Sequence, residues 1–338
     1  MAAEEGNNIV RGIFTGEEQP EDEVENEWGI WPIILRNVTH LSICQSLSVI
    51  REDAFHCHPN IIELICHIGL KKIEEFAFGN CPRLKRLVMS GVEEVEFGAF
   101  NECGVIEYVE CDQLEKIREL AFSGCKSLGS IDLPSANIVE HCAFHNCTSL
   151  MDVKFGKNLE SIGARAFGNN TALKRITIPL KSGLFTHDDV FLNCEKLDEV
   201  CLIEEAIVHE TVGALLLDEW KNDMNDLISS INGMVQNASV GRGWVGSESQ
   251  RSGEKTRVIR EWISSVLSKI IHYKAQHRRL VNEAATVLSD ILPNDILTNN
   301  ILPFISLPSH TFDGEDYHNG DLLNSDERGQ KRPKLDDH

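Results

Sequence analysis

The 338-residue sequence has no stretch of about 18 or more apolar residues, the length that a membrane-spanning helix needs. Its first residues also lack the basic segment and apolar core of a secretory signal. Basic residues are few, since 32 Lys and Arg face 53 Asp and Glu, and the formal net charge is -21. Phosphate neutralisation needs clustered cations, which disfavours nucleic-acid binding as a function class. We therefore expect a protein of the cytoplasm or nucleus that binds neither membranes nor nucleic acids.

Motifs of catalysis and of metal binding are missing as well. The sequence has no Gly-x-Ser-x-Gly elbow, no phosphate-binding Gly-x4-Gly-Lys-Ser/Thr loop and no His-Glu-x-x-His pair. His56, Cys57 and His58 are candidate ligands, but adjacent residues rarely converge on one ion. The cysteines number 11, an odd count, and most lie in apolar runs, as buried reduced thiols do. The sequence thus predicts no enzyme, no metal and no cofactor.

What the sequence does contain is an internal repeat. A phenylalanine, usually after alanine, returns every 22 to 24 residues, at Phe55, Phe78, Phe100, Phe122, Phe144, Phe167 and Phe191. Cysteine commonly follows three residues later and a leucine or isoleucine six residues later, as in Cys125 and Leu128. So short a unit cannot bury its own apolar stripe, and only stacking against neighbouring units builds a core.

Each copy ends in an alternating apolar segment, such as Leu128, Ile131 and Leu133, which has the period of a β-strand. The repeats predict an α/β repeat fold: a curved leucine-rich-repeat solenoid over residues 28–205, with a parallel sheet on its concave side. The strand-like residues 35–43 place the first turn, and Trp28, Trp31 and Pro32 are predicted to cover its edge, because an open edge invites aggregation.

The combined Phe, Cys and Leu positions carry a family resemblance. Whole segments carry it as well, such as residues 114–128, Leu-Glu-Lys-Ile-Arg-Glu-Leu-Ala-Phe-Ser-Gly-Cys-Lys-Ser-Leu. Residues 35–205 resemble the BspA-type leucine-rich repeats, in particular the large set of such proteins in diatoms. The resemblance implies the solenoid fold and a binding role, and it brings no catalytic motif.

The spacing of apolar residues changes to four and three after about residue 209, which predicts helices. Residues 206–292 are predicted to form an antiparallel, coiled-coil-like helical hairpin with a Gly/Ser-rich loop at 237–253. An acidic first helix and a second helix with seven Lys or Arg against three Glu over 254–283 favour this pairing. Prolines predict an extended packing segment at 293–312, and composition predicts disorder at 1–27 and 313–338.

Outward positions of the predicted strands are the expected protein-binding surface, because they can vary without disturbing the core. Their charges form blocks, basic at 85–86 and 174–175 and mostly acidic between, which a partner of complementary pattern would fit. The alternative is a merely solvated face. The positions are Glu63, Lys85, Arg86, Glu107, Tyr108, Glu110, Asp132, Asp152, Lys154, Lys174, Arg175, Asp198 and Glu199.

Two functions therefore stay open. The first is a non-enzymatic scaffold that binds a protein partner on the concave repeat face. The second is a regulatory or nuclear adaptor that acts through the basic helix and the C-terminal tail, where a basic cluster resembles a nuclear-import signal, at Arg328, Lys331, Arg332 and Lys334. The hairpin could cap the solenoid or pair with a second chain, so a monomer and a dimer are both open.

Overall fold

The structure is a computed structural model that describes residues 11–15, 23–26, 29–32, 37–238, 254–293 and 296–307. The predicted nuclear-import cluster, the tail at 313–338, Trp28 and residues 239–253 of the predicted loop lie outside the described residues.

The repeats fold into a solenoid of parallel strands, as the sequence predicts. Each turn contributes one strand to a front sheet and a two-residue strand to a short-strand sheet on another side. The front sheet runs in two parts, of five and four strands, and the strands of each part are arranged in the order of the chain. Its strands are β1 (Arg11–Phe14), β4 (His40–Ile43), β6 (Glu63–Ile65), β8 (Arg86–Val88), β10 (Tyr108–Glu110), β12 (Ser130–Leu133), β14 (Asp152–Phe155), β16 (Arg175–Ile178) and β17 (Glu199–Leu202).

The short-strand sheet follows the order of the chain from β5 to β15. Its members each lie about one repeat apart and pair in parallel with their neighbours. They are β5 (Val49–Ile50), β7 (Lys72–Ile73), β9 (Glu94–Val95), β11 (Lys116–Ile117), β13 (Ile138–Val139) and β15 (Ser161–Ile162).

The repeated phenylalanines form one continuous stack through the core. Neighbouring rings lie nearly parallel with centroids 5.0 to 5.9 Å apart, from Phe55 to Phe191. All seven rings are buried. Each ring therefore gains its apolar burial from the copies before and after it, which makes the copies mutually dependent.

The turn after each phenylalanine needs a left-handed backbone. The second residue after every repeated phenylalanine has a φ between 55° and 76°, and four of these residues are asparagine, the non-glycine residue that tolerates this region well. Gly124 has the largest of these φ values, 76°, and glycine adopts this region without the strain that a Cβ brings. The Gly-Asn-Cys and Ser-Gly-Cys signatures are thus backbone requirements.

The repeated cysteines donate hydrogen bonds inside the core. Each of the five repeated thiols donates to the backbone oxygen of the phenylalanine in the preceding copy. Cys103, for example, donates to Phe78 over 3.0 Å. Burial raises the pKa of Cys194 to about 12, so this thiol stays protonated at neutral pH. The thiol ladder is a packing device, in agreement with the sequence interpretation.

Two of the seven copies have another residue at the cysteine position, His58 in the first copy and Asn170 in the sixth. Asn170 takes the cysteine position after Phe167 and is fully buried. Among the residues that the structure describes, neither its amide nitrogen nor its amide oxygen has a hydrogen-bond partner. A buried polar group without a partner costs about 1–3 kcal/mol.

We predict that Asn170→Cys stabilises the solenoid by about 1–2 kcal/mol, because it removes the buried amide and restores a thiol donor towards Phe144. Urea denaturation measures the change in the free energy of unfolding. The reverse exchange in a complete copy, Cys125→Asn, is the matched control and should destabilise by about 2 kcal/mol. Equal effects of the two variants would contradict this account of the ladder.

The N-terminal part differs from the prediction of a disordered 1–27. Arg11–Phe14 forms β1 and pairs in parallel with His40–Ile43. The Phe14 ring packs edge-on against Phe55, with centroids 5.0 Å apart, and so continues the aromatic stack. β1 therefore covers the edge that the sequence assigned to Trp28, Trp31 and Pro32. β2 (Glu23–Asn26) and β3 (Gly29–Pro32) form a separate antiparallel pair.

Three longer helices follow the solenoid: α1 (Glu205–Gly213), α2 (Asp218–Ala238) and α3 (Glu254–Ser289). α2 and α3 are antiparallel, as predicted, because Trp262 donates to the Leu227 oxygen (2.9 Å) whereas Tyr273, further along α3, donates to the earlier Asp223 (2.6 Å). Two details were wrong. The apolar stripe from about 209 breaks between α1 and α2, and residues 237–238, assigned to the loop, complete the last turn of α2.

The hairpin docks on the last turn of the solenoid. The ammonium of Lys255, at the start of α3, donates to the backbone oxygens of Cys194, Glu195 and Leu197 over 2.6 to 2.9 Å. Thr256 accepts a hydrogen bond from the Phe191 backbone. Burial lowers the pKa of Lys255, which shows how far this side chain is withdrawn from water. The hairpin therefore caps the repeat stack.

The far half of α3 extends beyond α2. His277 contacts the Ile305 oxygen at 2.7 Å, and the apolar side chains of Val287, in the last turns of α3, and of Ile291, just after the helix, are exposed. The predicted extended segment 293–312 is wrong at 297–305, which forms a π-helical turn, Leu297–Ile301, and the short helix α4 (Leu302–Ile305). The helix-breaking prolines did not prevent this, because a proline in a first helical turn sacrifices no intrahelical hydrogen bond.

Among the described helices none is both long and apolar enough to cross a membrane.

We predict that Lys255→Met destabilises the protein by about 2–3 kcal/mol, because three carbonyl oxygens lose their charged donor. Arg257→Met is the matched control: Arg257 is exposed on the same helix and pairs with Glu254, so its loss should cost less than 1 kcal/mol. Urea denaturation and amide hydrogen exchange at 185–200 measure both effects. Similar losses for the two variants would mean that Lys255 does not anchor the hairpin.

Candidate functional site

The thirteen predicted binding residues lie along the front sheet. In-register pairing aligns the outward residues of successive strands into two rows. The remaining predicted positions, Lys85, Glu107, Lys174 and Asp198, lie just before their strands. The first row contains Arg11, His40, Glu63, Arg86, Tyr108, Ser130, Asp152, Arg175 and Glu199, and the second contains Ile13, Ser42, Ile65, Val88, Glu110, Asp132, Lys154, Thr177 and Cys201.

Ion pairs between neighbouring strands occupy most of the first row. Arg86 lies 3.0 Å from Glu63, and its guanidinium stacks 4.4 Å above the centre of the Tyr108 ring. Arg175 lies between Asp152 at 3.2 Å and Glu199 at 2.6 Å. The hydrogen bond from Arg175 holds the pKa of Glu199 below its usual range.

Three further ion pairs of the same kind join residues of the predicted set, which corrects the predicted charge blocks. Lys85 lies 3.5 Å from Glu107, and Lys174 lies 3.4 Å from Glu199. Lys154 lies 3.6 Å from Asp132 on the neighbouring strand. Residues one repeat apart in the sequence become neighbours in space, so cations that form a block along the chain are each placed beside a carboxylate. The face presents paired charges and not alternating charged blocks.

The second row begins with Ile13, Ser42, Ile65 and Val88, of which the three apolar side chains are absent from the predicted binding surface. Ile13 is 64% exposed, Ile65 is 40% exposed and Val88 is half-buried. Tyr108, 44% exposed, lies on the strand beside Val88. We call Ile13, Ile65, Val88 and Tyr108 the apolar patch. Its signal was present in the sequence, because later copies have Glu110, Asp132 and Lys154 where these copies have Ile65 and Val88.

Hydrogen bonds hold the tyrosine of this patch in place. The Tyr108 hydroxyl donates to Glu110 over 3.1 Å, and Ser90 donates to the same carboxylate over 2.7 Å. The bond from Ser90, followed by that from Tyr108, lowers the pKa of Glu110, and the carboxylate in turn raises the pKa of Tyr108. The ring is thus fixed between Arg86 and Glu110, which reduces the entropy that a partner would have to overcome.

The ring nitrogens in the His56-Cys57-His58 sequence serve local structure. His56 contacts Asp53 at 2.8 Å and Asn80 at 3.3 Å. His58 is fully buried at the cysteine position of its copy, and its Nδ1 accepts from the backbone of Asn60 and Ile61. Within the described parts of the chain, no group of three or more His, Cys, Asp or Glu is placed to hold a metal ion.

These features define a class: a repeat protein whose turns stack in register into a parallel solenoid. Residues 35–129 and 115–211 match the family described as BspA type Leucine rich repeat region, in 6 copies. The matched residues make up more than half of the chain, so this protein belongs to the BspA-type leucine-rich-repeat family. The predicted family is thereby confirmed, whereas the likeness to the diatom proteins stays a prediction.

Solved structures of similar fold come from bacteria. A leucine-rich repeat protein from Bacteroides ovatus shares 20% identity over 60% of this chain and 71% of its own, with a TM-score of 0.33. The T. pallidum Leucine Rich Repeat protein shares 21% identity over 51% of this chain and 72% of its own, with a TM-score of 0.38. Scores this low carry no argument about function. No curated protein matches the sequence.

We predict that the apolar patch contributes little to stability. Tyr108→Ala and Ile65→Ser should each change the free energy of unfolding by less than about 1 kcal/mol, because a substantial part of each side chain is already exposed to water. Leu64→Ala, one residue away and fully buried, should cost about 2–5 kcal/mol. Urea denaturation separates the cases, and a large loss in Tyr108→Ala would show that the patch is structural.

Proposed function

We propose that this protein is a non-enzymatic scaffold that binds a protein partner on the front sheet, with the apolar patch at the centre of the contact. Leucine-rich-repeat proteins generally serve as protein-interaction scaffolds. The observation that carries the proposal is the apolar set of exposed Ile13, exposed Ile65 and half-buried Val88, interrupted by Ser42, beside the Arg86–Tyr108 stack. Stability does not require apolar side chains at these outward positions.

The composition of the patch favours a protein partner. Tyrosine and arginine dominate the energetics of protein interfaces, and a tyrosine adds large area at low entropic cost. Paired charges such as Lys85–Glu107 and Arg86–Glu63 surround the apolar residues and supply the polar rim that such interfaces have. The front sheet thus offers an apolar centre surrounded by paired charges. Such a surface suits a partner with apolar side chains better than a strongly charged ligand.

The second candidate, an adaptor acting through the basic helix, receives less support. Lys255, Arg260 and Lys269 of α3 are engaged with the solenoid or with Asp223 of α2. Arg257 and Arg279 pair with glutamates of the same helix. The basic character of α3 is therefore largely explained by docking and hairpin pairing, and a role in nuclear delivery rests on the tail at 328–334.

The test is affinity capture followed by quantitative mass spectrometry, with the intact chain and with the double variant Ile65→Asp/Tyr108→Ala as bait. The matched control is Arg51→Ala, an exposed residue beside the short-strand sheet. We expect a specific protein to be retained by the intact chain and by the control and to be lost by the double variant. Circular dichroism confirms that all three baits are folded.

Two outcomes would overturn the proposal. Capture that is unchanged in the double variant places the contact outside the front sheet. Loss of the partner on deleting 308–338, with the front-sheet double variant still active, supports the adaptor. The affinity of the recombinant double variant for the identified partner is then measured. A reduction of 10-fold or more would locate the energetic centre of the contact in the apolar patch.

A further inference from the structure

The short-strand side of the solenoid has a local interruption in its repeat pattern. The residue after each short strand is charged in five successive copies, as Arg51, Glu74, Glu96, Arg118 and Glu140, but the next copy has Gly163. A Cβ on Gly163 would lie 2.8 Å from the backbone of Glu140, so no side chain can return there without a shift of the turn. One missing side chain in an otherwise continuous row leaves a gap.

The next position in the repeat loses its bulk in the same copy. Glu75, Phe97, Glu119 and His141 precede it in register, and Ala164 stands where they do. The two small residues open a notch of about 520 Å³ between the turn that contains His141 and the turn that contains Thr186. Ile138 and Val139 make its walls largely apolar, and Ser161 also lines it.

One carboxylate at the rim retains an open acceptor. Glu119 contacts His141 Nδ1 through one oxygen at 3.2 Å, and within the described structure its other oxygen has no hydrogen-bond partner. Glu140 differs, because one oxygen accepts from Arg118 at 2.7 Å and the other accepts from the Glu119 backbone at 3.1 Å. The notch therefore presents apolar walls and a single carboxylate oxygen available to a donor.

The arginines near the notch are already neutralised. Arg118 is held between Glu94 and Glu140, and Arg165 lies 2.9 Å from Asp189. Arg260 of α3 pairs with Asp188. A cationic ligand in the notch would thus meet the Glu119 carboxylate without an unpaired arginine of the protein beside it.

We propose that this notch binds the arginine side chain of a partner polypeptide. The aliphatic part of an arginine fits the apolar walls, and its weakly hydrated, planar guanidinium presents several donors to the open oxygen of Glu119 and can stack on the exposed ring of His141. The site lies on the short-strand side and is separate from the front sheet, so it does not depend on the proposed function.

The test uses amide NMR titration of the full-length protein with three small probes. These are N-acetyl-arginine methylamide, its uncharged isostere N-acetyl-citrulline methylamide and the aliphatic N-acetyl-norleucine methylamide. We expect saturable shifts of the Gly163 and Ala164 amides with the arginine probe, with a Kd in the millimolar range that suits a fragment of this size. The citrulline and norleucine probes should bind at least 10-fold more weakly.

Two variants and a matched control complete the experiment. Ala164→Leu fills the notch, and Phe97 at the same position of another copy shows that the repeat accepts a large side chain there. Glu119→Gln removes only the charge and should weaken arginine binding at least fivefold, whereas Glu75→Gln, the equivalent position two copies earlier, should leave it unchanged. Equal binding of the arginine and citrulline probes, or unchanged binding to Glu119→Gln, would overturn the proposal. Absence of any shift at Gly163 and Ala164 would do so as well.

Discussion

The solenoid depends on contact between identical side chains in successive copies. Burying a phenylalanine contributes about 1.5–3 kcal/mol, but no single copy can realise this gain. Each ring in the stack from Phe55 to Phe191 obtains it from two neighbours 5.0 to 5.9 Å away. The thiol ladder depends on the same spacing, because each cysteine donates to the backbone of the copy before it. Cooperation between neighbours therefore explains both the strict period and the need to cover the two ends.

The two ends solve this problem with different material. At the start, Phe14 of β1 packs against Phe55 and β1 completes the front sheet. At the other end, helices replace a strand, and Lys255 and Thr256 satisfy backbone groups of the last copy. An uncovered end would leave both apolar rings and backbone groups in water, and edge strands also invite unwanted pairing. The hairpin is thus part of the folding unit of the repeats, and its charges are largely explained by that role.

The sequence predicted the solenoid because the period is repeated over seven copies, so that Phe, Cys and Leu positions reinforce one another. It did not predict β1, since Arg11–Phe14 is only four residues long and lacks the cysteine and leucine of the frame. The helix break at 214–217 was missed because the apolar spacing continues through it.

The candidate site was predicted in part. Tyr108 and Arg86 follow from strand alternation, but their stacking, with Glu63 nearby, is a contact between strands that no local pattern shows. The prediction of charge blocks was wrong for the same reason, because cations adjacent along the chain pair with carboxylates one repeat away.

In-register stacking also indicates where recognition can arise. A substitution at an outward position leaves the core untouched, yet it becomes the neighbour of the same position in the next turn, so a few changes in successive copies create a surface column. Ile65 and Val88 form such a column where later copies have charges, and Gly163 with Ala164 forms a notch where earlier copies have large side chains. The first departure adds apolar surface and the second removes bulk, on different sides of the same stack. Because the two sides share the core but no outward side chain, an outward substitution on one side leaves the side chains of the other in place, and the two proposed sites can be tested independently.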